Sequence, residues 1–327
     1  MARHQQAVES ANHHYVPKFY LKGFTDKKGY LWAYEFGKNA PRQSDPKHEG
    51  HREDYYTFAD RGYPDDSAEK MLSRAESLVA PTIRKLANPQ FKMNEQQISE
   101  LYTFVALMYV RVPAYREFVN VVSAKMIKEF AQNQALDNDK FYEILKDYET
   151  KTGRSVGDHK KLREFLLSND YTVTQDSVAF NLLHTFQSCL DISETLEKQY
   201  GYDLYYAPVD SFFMTCDNPI ATIEPDFMGS ANIGSGVGRP RTEVVFPLNK
   251  RACLILRRYG KGRHISASQV FIDQINNLIM KTAQRYAYAP VGFRRLARIF
   301  NERGCTTRYG VNALIPDPTF ISRTSTE

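Results

Sequence analysis

The hydrophobic period of this chain changes once along its length, and that single change limits the folds open to it. From about Ser67 to Lys198 apolar residues recur at helical spacing, and after Gly201 they alternate or run in strand-length blocks. Long stretches of one type cannot supply alternating βαβ units, so a doubly wound parallel sheet is excluded. The pattern predicts an α+β fold. A helical bundle in the N-terminal and middle part, roughly 65–198, packs beside a mostly antiparallel sheet. The sheet draws on residues 202–257, with 30–58 as a second source of strands, and a long C-terminal helix follows. The 327 residues suffice for one large domain or two ordinary ones. We read a single domain over 12–317, with the helical part at 65–198 and a basic sheet-plus-helix part at 202–300.

Local signals place the elements. Tyr30 to Phe36 alternates and stops at Gly37, residues 38–54 read as a loop, and Asp54 to Phe58 reads as a strand pairing with the first. Asp66 or Ser67 caps a helix to about Leu86, with Pro81 inside it as a kink. Asn94 opens the next helix with Gln97 as its capping-box partner, and Pro113 bends or divides that helix. Shorter helices fall at 139–148 and 160–167, and a longer one at 175–198. Asp203–Ala207 and Phe212–Cys216 read as a hairpin around Pro208–Ser211, with 219–223 as an extension; Glu243–Pro247 and Ala252–Arg257 read as another. Ser266 or Ser268 caps a helix running to Tyr288, and 293–300 is a short basic helix or strand. The glycine-rich stretch 229–238 has neither GK[ST] nor GxGxxG and reads as a surface loop.

Composition excludes several classes. No apolar run reaches the roughly 18–20 residues of a membrane span, so no membrane partner is expected. The polar start carries no apolar core of a secretory signal. Cys189, Cys216, Cys253 and Cys305 are far apart and form no CxxC, which predicts reduced thiols and a cytoplasmic protein. With 21 Tyr and 20 Phe against 1 Trp, a tyrosine-rich core is expected.

Charge is unevenly spread. Residues 239–308 hold 15 Lys and Arg against 3 acids, a local +12 that leaves −7 for the remainder of a chain whose net charge is +5. Twelve of the fifteen are Arg, whose planar fork suits phosphate or carboxylate. Two readings are balanced: a phosphate-bearing partner, RNA or DNA, or internal pairing with the acidic half.

The candidate site residues follow. His13 and His14 open the aromatic segment Asn12–Phe24; as extended neighbours they face opposite sides, so one can face a site while the other packs. Glu76 lies mid-helix, as a ligand or base or as a solvated face residue. Arg111 falls on an apolar helical section, where a buried guanidinium needs Asp217 or Glu76 or an anion. Asp217-Asn218-Pro219 ends a strand, as a turn former or as a carboxylate at a strand end. Cys216 beside a histidine would be a nucleophile, though strand-end cysteines are usually packed.

Several motifs together resemble one family: His13-His14-Tyr15-Val16-Pro17 with Tyr20-Leu21 and Phe24, Arg111-Val112-Pro113, Cys216-Asp217-Asn218-Pro219, Phe246-Pro247-Leu248, and Gln284-Arg285-Tyr286-Ala287-Tyr288. This set resembles the bacterial family catalogued as domain of unknown function 4238, over nearly the whole chain. Members often carry Ser where Cys216 stands. The resemblance implies one unit of this size and no established activity; a role in phage or mobile-element conflict follows by association only.

Two functions compete. In the first, His13, His14, Glu76 and Asp217 converge as catalytic groups, with His14, Glu76 and Asp217 holding Mg²⁺ or Mn²⁺ to activate water. Arg111, Asn218 and Arg285 bind substrate, and the reaction is phosphodiester hydrolysis of nucleic acid. In the second, the chain is a non-catalytic nucleic-acid- or protein-binding module whose polar set is a buried structural network.

Overall fold

The computed structural model describes residues 12–60, 63–65, 67–224 and 236–303. The chain opens with strand β1 (Asn12–His14), the one-turn helix α1 (Lys18–Leu21) and a 3₁₀ turn to Phe24. Strands β2 (Leu31–Glu35), β3 (Arg42–Ser44), β4 (His51–Glu53), β5 (Phe58–Asp60) and β6 (Tyr63–Asp65) follow. The stretch 38–54, expected to be a loop, therefore contributes two strands. β4 pairs antiparallel with β1, β2 pairs with β3, and β5 pairs with β6, so the segment after Asp54 does not pair with 30–36 as expected. Short polar strands such as Arg42–Ser44 carry too few alternations to show in a period.

The helices then run as α2 (Ser67–Lys85), α3 (Glu95–Val110), α4 (Pro113–Leu136), α5 (Asn138–Thr152), α6 (His159–Ser168) and α7 (Val178–Gln199). α2 passes through Pro81 without ending. α3 starts at Asn94, whose side chain accepts from Gln97 N while the Gln97 side chain accepts from Asn94 N, a full capping box. It ends before Arg111, and Pro113 begins the next helix, where a missing N–H costs nothing.

Strands β7 (Gly201–Tyr206), β8 (Thr215–Cys216), β9 (Ala221–Ile223), β10 (Glu243–Asn249), β11 (Ala252–Arg257) and β12 (Arg263–Ser266) come next, then helix α8 (Gln269–Thr282), strand β13 (Tyr286–Ala289) and helix α9 (Arg294–Arg303). Ser268 caps α8 through Phe271 N. That helix stops at Thr282, short of Tyr288, because the Tyr286–Ala289 segment is drawn into a sheet. The predicted 203–216 hairpin is also absent: β7 lies in a five-stranded sheet of order β12-β7-β11-β10-β9, and β8 in a four-stranded sheet of order β3-β2-β13-β8. The chain changes sheet at Asp217-Asn218-Pro219. Of the glycine-rich stretch, 229–235 lies outside the described residues, as do residues 1–11 and Cys305.

The described residues form two compact units, one within Met1–Arg116 and Val178–Glu327, the other Glu117–Ser177. In the first, alternation along β10 and β11 divides the core in two. Val244, Phe246, Leu254 and Leu256 join Leu101, Val105 and Leu196 of the α2–α3–α7 side. Val245, Cys253 and Ile255 join Ile272, Ile275 and Ile279 of α8. Tyr20 donates to Pro247 O and bonds Thr215 Oγ1, both at 2.7 Å, and so ties α1 to both sheets. In the second unit Ala135, Phe141 and Leu145 form a small core with Val156, Leu162 and Leu166 against it.

Candidate functional site

The β1–β4 pairing sets His13 opposite Arg52 and His14 opposite His51, and strand alternation sends the two neighbouring imidazoles to opposite sides. Gly50 makes the entry to β4 possible. Its φ is +64°, its carbonyl accepts from Val16 N at 3.0 Å, and a Cβ there would lie 2.7 Å from Val16 Cβ. His13 is 3% exposed. Its Nδ1 accepts from Tyr56 N at 3.0 Å, and its ring stacks on Tyr56 with centroids 5.6 Å apart. An accepting Nδ1 fixes the neutral tautomer with the proton on Nε2. His13 thus organises the aromatic segment.

Arg111, at the C-terminus of α3, is 1% exposed. It donates through Nη1 to Glu76 Oε1 at 2.8 Å, through Nη2 to His14 O at 2.6 Å and through Nε to Tyr56 Oη at 3.4 Å. Burial opposes its charge, and Tyr56 and Glu76 more than restore it, raising its pKa. One guanidinium therefore joins α2, α3 and the backbone of β1. Of its two expected acidic partners, the structure supplies Glu76.

His14 is half-buried and faces His51 with ring centroids 5.4 Å apart. Its ring lies near the Lys47 backbone, and its Nε2 is buried with no hydrogen-bond partner among the described residues. A neutral imidazole carries its proton on one nitrogen only, so an Nε2 with no partner can present a lone pair. His51 Nδ1 is likewise buried and without a partner among the described residues. Burial first, then the neighbouring His51, Lys18 and Arg111, lowers the His14 pKa below its ordinary 6.5. Two imidazoles thus meet in cationic surroundings. His51 lay unread because Gly50-His51 sits in a polar stretch with no strand period; its pairing with His14 is a property of the β1–β4 register.

Asp217 lies elsewhere in this unit, at the change of sheet. Its carboxylate accepts from Gln284 N, Arg285 N and Tyr286 N at 2.8, 2.7 and 2.9 Å, and burial pushes its pKa up to about 6 against the pull of those bonds. Asn218 Nδ2 donates to Thr282 O, and Thr282 Oγ1 donates back to Asn218 O. Buried Cys216 contacts Asn218 O through Sγ. The Asp-Asn-Pro corner thus stitches the turn between α8 and β13. Arg285 makes a two-donor contact to Glu35 Oε1 on the surface.

An acid absent from the expected set is Glu49, 3% exposed, which accepts from Arg42 at 2.5 and 3.1 Å and from Ser44 Oγ at 2.5 Å. Its signal was equally hidden, inside the stretch that reads as a loop.

Of the seven expected site residues, the structure links His14, Arg111 and Glu76 directly. His13 turns to the other side, and Asp217, Asn218 and Arg285 serve the β13 region. Among the described residues no group of three or more His, Cys, Asp or Glu side chains is placed to hold a metal ion. The expected His14–Glu76–Asp217 centre is therefore not formed: Glu76 is held by Arg111, and Asp217 by three amides.

Part of the basic C-terminal stretch is answered by internal acids. Arg263 forks onto fully buried Asp203, with Nη2–Oδ2 at 2.6 Å, and Arg239, Arg257 and Arg285 pair with Glu224, Glu243 and Glu35. On α9, Arg294, Arg295 and Arg298 are exposed.

A family model described as a protein of unknown function, DUF4238, matches residues 12–290. The chain belongs to the DUF4238 family. Four of the five motifs that suggested it are structural hubs of one unit: the His-His-Tyr-Val-Pro segment, Arg111 at a helix end, the Asp-Asn-Pro corner and strand β10 with Phe246. No curated protein and no solved structure matches the chain. Among the described residues no helix is long and apolar enough to cross a membrane.

Proposed function

We propose that this protein cleaves phosphodiester bonds in nucleic acid, with the His14–His51 pair as the reacting groups and RNA as the substrate class. The observation that carries this reading is the facing of two imidazoles whose inner nitrogens, His14 Nε2 and His51 Nδ1, have no partner among the described residues. Leaving such groups buried without a partner costs about 1–3 kcal/mol each, which a fold retains where they are used. Lys18 is exposed beside the pair and Arg111 lies behind it, so the surroundings favour an anion over a cation.

The chemistry follows from the two unpartnered ring nitrogens. His14, with its lowered pKa, is a neutral base at neutral pH and takes the proton of the ribose 2′-hydroxyl as that oxygen attacks phosphorus. His51 in its protonated form gives a proton to the departing 5′-oxygen. The products are a cyclic phosphate and a 5′-hydroxyl end. Both nitrogens are shielded from solvent, so neighbouring side chains must move to admit the phosphate. Mg²⁺ and Mn²⁺ prefer sets of oxygen ligands, and the two carboxylates expected to supply them are engaged elsewhere.

The test is cleavage of labelled RNA and DNA in EDTA, and again with Mg²⁺ or Mn²⁺ added. RNA cut in EDTA and DNA left intact supports the pair. Cleavage of both that requires the metal refutes it and returns the metal-dependent nuclease.

One observation favours a second reading, a non-catalytic nucleic-acid- or protein-binding module. Six of the seven expected site residues are spent on structural bonds. Under that reading RNA binds, if at all, without being cut.

A further inference from the structure

Away from the imidazole pair, the ends of β10 and β11 frame a cavity of about 460 Å³ lined by Arg241, Thr242, Glu243, Arg257, Arg258 and Tyr259, together with Pro240. Its volume lies in the range of small-ligand sites. Arg257 is the unusual member. Its side chain is 15% exposed, and its Nε faces Glu243 Oε1 at 3.4 Å without forming a hydrogen bond. Glu243 Oε1 instead accepts from Tyr259 Oη at 3.1 Å. Arg258, one residue on, holds Gln199 through Nη1 and reaches two backbone carbonyls, of Gly238 and Arg239, only at 3.5 Å through Nη2. Arg257 and the exposed Arg258 thus share one cavity with the Glu243 carboxylate.

A guanidinium removed from water keeps its five N–H donors and needs acceptors for them. Tetrahedral oxyanions fill that need best, because the fork of Arg matches phosphate oxygens two at a time. Beside the arginines stands a flat apolar surface: Tyr259 is 64% exposed, and the Arg257 guanidinium lies 5.8 Å from its ring centroid. A phosphate on the arginines leaves an attached planar ring able to stack on Tyr259.

We propose that this cavity is a nucleotide site, with the phosphate of a nucleoside 5′-phosphate held by Arg257 and Arg258 and the base stacked on Tyr259. The assignment is independent of the His14–His51 reading.

Isothermal titration of the full-length protein with AMP, and separately with inorganic phosphate, tests it. Saturable AMP binding is expected, weakened at least tenfold by Arg257→Gln and by Arg258→Gln. Tyr259→Leu, at an exposed position that leaves the fold intact, should weaken AMP at least fivefold and leave inorganic phosphate unchanged. No AMP binding at millimolar concentration overturns the site. So does AMP binding that Tyr259→Leu leaves unchanged, or that survives Arg258→Gln in a protein melting like the parent.

Discussion

Asp217 offers the sharpest separation of structure from chemistry. Its carboxylate takes three successive backbone amides, those of Gln284, Arg285 and Tyr286, at 2.7–2.9 Å, and its own N–H donates to Tyr286 O. Replacement by Ala leaves three donors without an acceptor at the junction of α8 and β13. Each lost partner costs about 1–3 kcal/mol. Arg285 is exposed and Gln284 half-buried, so water can reach part of the turn, and the lower end applies: about 3 kcal/mol in total. The acid also carries a pH signature. Its folded pKa of about 6 stands above the 3.8 of an ordinary aspartate, so the folded state binds the extra proton between those values. The contribution is therefore fully present below pH 3.8 and is lost as pH rises through 6, with an amplitude of about 3 kcal/mol. Urea unfolding of the parent and of Asp217→Asn at pH 4.5 and 7.5 measures it. The parent should gain stability on acidification relative to the Asn variant, and Asp217→Ala should lose its 3 kcal/mol at pH 4.5. An Asp217→Ala protein as stable as the parent would refute the structural role and restore this residue to the chemistry.

Three further outcomes follow from the same geometry. Arg111→Met should cost about 3 kcal/mol by urea unfolding, the lower end of the range for breaking a buried pair, because the Glu76 side chain is 21% exposed; a loss under 1 kcal/mol would contradict its role as a tie. Gly50→Ala should cost about 2–4 kcal/mol from its positive φ and the contact with Val16 Cβ, read as a lower melting temperature; an unchanged melt would show that this turn relaxes freely. His14 has a folded pKa below 6.5, so the unfolded chain takes up its proton first, and stability falls as pH drops below 6.5. His14→Gln should remove that part of the acid loss between pH 7.5 and 5.5, and an identical slope in both proteins would contradict it.

Much of the fold was legible in the sequence because its signals are local. The capping box at Asn94 and Gln97, the Pro113 division, the β10–β11 pair and the α2 and α7 stripes each lie within a few residues of their cause. The errors share a different origin. Strands of three residues such as β3 and β4 show no period, and Tyr286–Ala289 reads as helix until β2 and β8 are there to pair with it. The assignment of β8 to a different sheet from β7 is a long-range fact that no turn residue announces. The same holds for the site. Arg111 declared itself as a charge on an apolar face, and its need for an acid was legible, whereas the His14–His51 contact depends on a register between residues 37 positions apart in sequence. Asp217 looked like a reactive carboxylate for the reason that makes it structural: a buried acid at a strand end must find donors, and here the backbone provides them.

The imidazole pair stands or falls on His51, which no motif pointed to and which makes no hydrogen bond through its buried Nδ1 among the described residues. Single-turnover cleavage of a labelled RNA in EDTA by the parent and by His51→Ala, with melting curves of both, is the direct measurement. The account predicts cleavage by the parent, a loss of at least 100-fold in the variant, and closely similar melting temperatures. Undiminished cleavage by His51→Ala, or no cleavage by a folded parent, would contradict it.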